Sequence, residues 1–157
     1  MNKFDTGDME VLYVKQIGGH PVKELVQKAV NEWAAKSSTA SYELEAVYIN
    51  DKEGRCIAAM TFSREVWRRG IDIQWTFVEP EYRRVGIHSK LFECVKRIAI
   101  RDGYVTVKRY VNAENHTMIR AVEAQGGIPA KIIFDHDLTR DLRFKFPLGS
   151  VEDKFSL

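Results

Sequence analysis

The stretch FVEPEYRRVGIHSKLFECV, residues 77–95, places two adjacent arginines, Arg83 and Arg84, and a lone glycine, Gly86, between a β-like run and an amphipathic helical one. A helix start offers N–H groups that the helix itself does not use, and it carries partial positive charge. Residues Arg83, Arg84, Val85, Gly86, Ile87, His88 and Ser89 can therefore wrap a diphosphate, with backbone donors from the run, close approach at Gly86, and side-chain charge from the two arginines. The chemistry this suits is the holding of a phosphate-bearing cofactor. A plain helix start with a solvated basic face uses the same residues, and the stretch alone does not separate the two. Just upstream, IDIQWTFV alternates. That pattern predicts Asp72, Gln74, Thr76 and Val78 on one strand face, with Ile73, Trp75 and Phe77 on the other, under the helices.

The elements that must position this junction are legible in outline. VLYVKQ reads as a first strand, closed by Gly18-Gly19, and Pro21 stands near the start of a helix whose Val22, Leu25, Val26, Ala29, Val30 and Trp33 recur at helical spacing. YELEAVYIN and RCIAAMTFS flank an Asp51-Lys52-Glu53-Gly54 turn and read as a hairpin; REVWRRG then leads to IDIQWTFV, so three consecutive antiparallel strands are expected. Ile87, Leu91, Phe92, Val95, Ile98 and Ala99 form the apolar stripe of the next helix, and Asp102-Gly103 stops it. YVTVKRYV is a strand and NAENHTMIRAVEAQGG a helix with Asn115 as candidate N-cap; AKIIFDHDL and LRFKF close the chain as two strands. IDIQWTFV, the Ile87 helix and YVTVKRYV form a βαβ unit, so those two strands are expected parallel. The fold class is α/β (α+β): about seven strands, mostly antiparallel, flanked by helices. Residues 1–157 read as a single domain, with a C-terminal tail from about residue 149.

Bulk properties bound the partners. The net charge of +2 gives no global basic field that would call for nucleic acid, although Arg64, Arg68, Arg69, Lys108 and Arg109 could gather near a cleft mouth. No apolar run is long enough to span a bilayer and the first residues carry no signal-peptide core, so a cytoplasmic protein is the expectation. Cys56 and Cys94 match no metal spacing and read as buried free thiols; His20, His88, His116 and His136 show no paired spacing, so no metal is expected.

The order of elements and VEPEYRRVGIHSKLF resemble the GNAT acetyltransferase superfamily. Its signature here is Arg or Gln, two residues, Gly, one residue, then Gly or Ala; Arg83 to Ile87 fit it, and His88 stands where Gly or Ala is usual. NHTMIRAVEAQGG is similar to the family's later helix, with Asn115 and Gly126 matching and Gly127 replacing a hydrophobic residue. The resemblance spans about Val11 to Phe146 and implies acetyl-CoA as acyl donor. It implies that the backbone near Phe77 and Val78 bonds the pantetheine arm, that the parallel strands splay with the aid of a bulge, and that Asn115 lies near the cofactor.

Acyl transfer to an amine needs a base for the amine, donors for the oxyanion, and a leaving thiolate. By resemblance, Asp72 falls where some relatives carry a glutamate base; an ordinary polar residue near a strand start is the competing reading. Gln74 or Thr76 could orient a relaying water, and the Val78 N–H could polarise the thioester. The tyrosine that many relatives place seven residues after the Asn is replaced by Val122, leaving Tyr110 or water as acid. His88 either contributes only its N–H or brings its imidazole to the cofactor. The function implied is an N-acetyltransferase acting on a primary amine of a small molecule or protein by direct attack in a ternary complex. The alternative is a GNAT-like non-catalytic CoA-binding or protein-interaction module. The acceptor is not readable. The apolar alternation of Leu142, Phe144 and Phe146 predicts an edge strand and a homodimer through it, with Arg143 and Lys145 as guards of a monomer's edge in the competing reading.

Overall fold

The computed structural model describes residues 9–33, 41–110, 116–124, 128–130 and 133–137. Its strands are β1 (Val11–Val14), β2 (Glu45–Asn50), β3 (Cys56–Glu65), β4 (Gly70–Val78), β5 (Thr106–Tyr110), β6 (Ile128–Ala130) and β7 (Ile133–Asp137). Its helices are α1 (Val22–Trp33), α2 (Ile87–Arg101) and α3 (His116–Ala124). The strands form one sheet in the order β1-β2-β3-β4-β5-β7-β6, antiparallel throughout except for the parallel pair β4 and β5.

Each face of the sheet carries its own apolar layer. Val22, Leu25, Val26, Ala29 and Val30 of α1 pack on one face with Ala46, Ala59 and Phe77. Ile87, Leu91, Phe92, Val95 and Ile98 of α2 pack on the other with Val47, Ile49, Phe62, Ile71 and Ile73. Leu91 is fully buried, and truncating such a side chain to alanine costs about 2–5 kcal/mol. Local chemistry fixes the connections. The His20 ring accepts the Val22 N–H at 3.1 Å and so caps α1. Asp51 accepts the N–H groups of Glu53 and Arg55 and, with Gly54 at φ +83°, makes the β2–β3 turn expected from the sequence. Gly103, at φ +82°, ends α2 with its N–H on the Ile100 carbonyl.

One irregularity shapes the centre of the sheet. Met60 pairs with Thr76 and Phe62 with Ile73, so the single Thr61 faces two β4 residues, Gln74 and Trp75. The fully buried Thr61 hydroxyl accepts the Trp75 N–H at 2.9 Å and lies 3.4 Å from the Trp75 carbonyl, which satisfies the bulged backbone. Among the described residues the parallel pairing of β4 and β5 runs from Gly70 and Thr106 to Ile73 and Arg109. Strand β4 continues to Val78, and residues 111–115, which follow Tyr110, lie outside those described.

The bulge corrects the expected strand faces. Ile71 and Ile73 lie in the α2 layer, yet Phe77 lies in the α1 layer with Trp75 against it, while Val78 packs on the α2 side. One extra residue inverts the alternation, so Asp72 is on the α1 face and Thr76 on the α2 face. The sequence places the last two strands at AKIIFDHDL and LRFKF. The first is β7, which lies inside the sheet between β5 and β6; residues 142–146 fall outside the described residues. The described edge at this end is β6, a three-residue strand containing Pro129.

Candidate functional site

The junction after β4 is built from backbone conformations that few residues adopt. Pro80 to Tyr82 make a short 3₁₀ turn, Arg83 is extended, Arg84 has φ +65°, and Gly86 has φ +86°. A left-handed arginine is strained, and strain of this kind gathers at ligand loops. A Cβ on Gly86 would meet nothing within 4 Å, so the dihedral, and not crowding, is what asks for glycine there. A tight turn of this kind at a helix start is the backbone form in which N–H groups converge on an anion. The first intrahelical bond of α2 runs from the Lys90 N–H to the Gly86 carbonyl at 3.1 Å, so the N–H groups of Ile87, His88 and Ser89 are not used by the helix.

This junction opens on a cleft of about 600 Å³. Its walls are Thr76, Phe77 and Val78 from β4, Tyr82, Arg83, Arg84, Gly86, Ile87, His88 and Ser89 from the junction and α2, His116, Thr117, Met118 and Ala121 from α3, and Glu32 from α1. The volume falls in the range of sites for extended cofactors. Arg83 crosses it: Nε donates to the Val78 carbonyl at 2.7 Å, the guanidinium lies 5.2 Å from the Phe77 ring centroid, and a terminal nitrogen is 3.9 Å from Glu32.

Behind the cleft lies a buried cation. Arg109 shares the α2 face with Val107 and is 2% exposed. Its Nη2 lies 2.9 Å from His88 Nε2 and 3.6 Å from Met118 Sδ, and its guanidinium is 5.4 Å from the Phe92 ring centroid. A guanidinium only donates, so His88 accepts through Nε2. Burial, and then the Arg109 charge, push His88 down to about 3, so its imidazole is neutral with the proton on Nδ1.

Nine of the residues expected at the site therefore line one cleft: Thr76, Phe77, Val78, Arg83, Arg84, Gly86, Ile87, His88 and Ser89. Val85 packs against the α2 core layer instead. Asp72 and Gln74 do not line the cleft. Asp72 pairs with Lys108 one rung before the last described β4–β5 pair, on the α1 face, where burial and then the Glu65 carboxylate push its carboxyl above the ordinary value. Gln74 donates to the Ser63 hydroxyl at 3.3 Å. Asn115 lies outside the described residues, and Val122 is fully buried. Of the five basic residues that could have gathered at the cleft mouth or formed a solvated face, Arg64 is bound to Glu45 and Asp102, and Arg109 is in the interior. The sequence reading missed Arg109, whose signal was its alternation with Val107. It also missed Glu32, which lies outside the α1 stripe and gave none. Among the described residues no group of His, Cys, Asp and Glu could hold a metal ion, and no helix is long and apolar enough to cross a membrane.

Comparison with known proteins agrees with this geometry. The family model described as Acetyltransferase (GNAT) family matches residues 18–126. Among solved structures, the N-acetyltransferase from Staphylococcus aureus Mu50 superposes with a TM-score of 0.65 at 13% identity, covering 84% of this chain and 99% of that one. The ribosomal-protein-S18-alanine N-acetyltransferase from Escherichia coli gives 0.62 at 15% identity, covering 82% and 94%. A Salmonella typhimurium protein described as an acetyltransferase, solved with its cofactor acetyl-CoA, gives 0.65 at 13%, covering 83% and 94%. At these identities the likeness is one of fold. No curated protein matches the chain. The matched span takes in the parallel pair β4 and β5, the left-handed turn and the helix behind it, and the chain belongs to the GNAT acetyltransferase family.

Proposed function

We propose that the protein is an N-acetyltransferase that takes acetyl-CoA as donor and a primary amine of a small molecule or protein as acceptor, joined in a ternary complex. The observation that carries this is the left-handed Arg84–Gly86 turn opening on the cleft between the end of β4 and the start of α2. In this reading the N–H groups of Ile87, His88 and Ser89 hold the diphosphate, and the pantetheine arm runs along Thr76 to Val78. The amine nitrogen attacks the thioester carbon; the C–N bond forms, the C–S bond breaks, and the thiolate leaves. The proton lost by the amine leaves through water, either to Asp72, which does not line the cleft and so acts at one remove, or with Gln74 or Thr76 orienting the relaying water instead. A raised carboxyl pKa suits a base at neutral pH better than an ordinary one. The α3 position at Val122 offers no acid, and a thiolate leaves more readily than an alkoxide.

Calorimetry with acetyl-CoA and free CoA tests the cofactor site, and a panel of amines read by mass spectrometry for the gain of one acetyl group tests the transfer. Saturable binding with an acetylated product is expected; a folded protein that binds neither thioester nor thiol overturns the reading. The two free cysteines fit a reducing, cytoplasmic setting. We further propose assembly as a homodimer through the segment holding Leu142, Phe144 and Phe146. Light scattering that gives a monomer mass at high protein concentration rejects it.

A further inference from the structure

Arg109 is a full charge placed where nothing described neutralises it. Among the described residues its Nε and Nη1 have no hydrogen-bond partner, and the contacts it makes there are a neutral imidazole, a thioether and an aromatic face. Burial lowers its pKa only to about 10, so it stays protonated at neutral pH. Isolated buried charges are costly, and an apolar side chain of similar volume would fill the same space without that cost. Its position is informative. Arg109 pairs with Ile73 on the last described rung between β4 and β5, and its two polar contacts, His88 and Met118, both line the cleft. Arg83 and Arg84 stand at the cleft wall, whereas Arg109 lies behind it, on β5. Met118, whose thioether lies against Nη2, is unbranched and adaptable.

We propose that Arg109 is an acyl-recognition residue and that the cleft prefers an acyl-CoA whose acyl group ends in a carboxylate. A short dicarboxylic acyl group lying along β4 brings its carboxylate past Met118 to Nη2, where it takes the place of the His88 ring and pairs with Nη2 and one of the two unsatisfied nitrogens, a two-pronged fit for which guanidinium is suited. The inference rests on the cofactor reading given above, and it changes the donor, not the site.

Calorimetry on the wild-type protein compares free CoA, acetyl-CoA, butyryl-CoA and succinyl-CoA. Butyryl and succinyl groups have the same chain length and differ in terminal charge. Succinyl-CoA is expected to bind at least about tenfold more tightly than butyryl-CoA, the scale of a charged hydrogen-bonded pair. Arg109→Met is expected to narrow that gap to within about twofold and to melt no lower than wild type without ligand. Equal affinities of the wild type for succinyl-CoA and butyryl-CoA overturn the inference, whether or not the variant folds. A loss in Arg109→Met as large for free CoA as for succinyl-CoA assigns the charge to the phosphates and overturns it too. Absence of free CoA binding to folded wild type sinks the cofactor reading itself, and a site that binds acetyl-CoA and butyryl-CoA but gains nothing from a carboxylate sinks only this one.

Discussion

Gly86→Ala isolates the backbone demand of the junction. A Cβ at Gly86 has no neighbour within 4 Å, so the substitution adds no clash and its cost is conformational. Holding an L-residue in the left-handed region, here φ +86°, costs roughly 1–2 kcal/mol. Against this, alanine stiffens the unfolded chain and returns about 0.4–1 kcal/mol. The balance is a net loss of about 1 kcal/mol, which in a chain of this size lowers Tm by roughly 2–4 °C. Thermal unfolding followed by circular dichroism reads that shift. Calorimetry is expected to show weaker binding of free CoA and acetyl-CoA by equal factors, because in the proposed reading the turn serves the phosphates that both share. A variant that melts at or above the wild-type temperature means that residue 86 does not adopt the left-handed conformation, and the reasoning falls. Arg84→Gly is the converse, since at φ +65° the arginine bears a strain that glycine removes.

Three further outcomes follow from particular contacts. Thr61→Val leaves the Trp75 N–H of the β4 bulge without its acceptor and is expected to cost about 1–3 kcal/mol in denaturant unfolding, with Thr61→Ser retaining most of the stability. Because Asp72 has a raised folded pKa, its ionised form weakens the fold above that pKa and has no effect below the ordinary value of 3.8. Asp72→Asn is therefore expected to be more stable than wild type at neutral pH, with the gap gone below 3.8, and slower in acyl transfer at neutral pH with a smaller loss at high pH; a wild-type rate throughout that range rejects the base role. Burial works against ionisation of Asp102, but the Arg101 and Arg64 guanidiniums hold its carboxyl below the ordinary value. Its contribution is present above 3.8 and fades as pH falls through the folded pKa, so Asp102→Asn is expected to lose roughly 1 kcal/mol at pH 7 and nothing in strong acid, read by urea titration at each pH.

What the chain reveals before folding depends on whether a signal is local. The β2–β3 turn is written in Asp51 and Gly54, the α2 stripe in the spacing of Ile87, Leu91 and Val95, and the left-handed turn before α2 in Gly86, because each acts through its own backbone or its own helix face. The faces of β4 were misread because the bulge at Gln74 and Trp75 is answered by Thr61 on another strand, and period-two counting has no means of seeing an extra residue. Arg109 looked like part of a solvated basic run with Lys108 for a related reason: its burial is decided by Phe92, His88 and Met118, which are distant in the chain. Strand β6 gave no signal, being three residues long with a proline at its centre.

The Arg83 side chain across the cleft ties together the two ends of any ligand that lies there. The Val78 carbonyl, which a pantetheine amide would seek, already accepts a hydrogen bond from Arg83 Nε. A ligand that competes for this carbonyl loosens the guanidinium, and the released charge is then at hand for a diphosphate at the start of α2. An adenine nucleotide diphosphate that draws Arg83 toward itself uncovers Val78 in turn. Separate fragments of the cofactor thus help one another onto the protein, so that the joined molecule binds more tightly than the tether alone would account for, and added salt, by weakening the pull of the phosphates, loosens the grip on the uncharged arm as well.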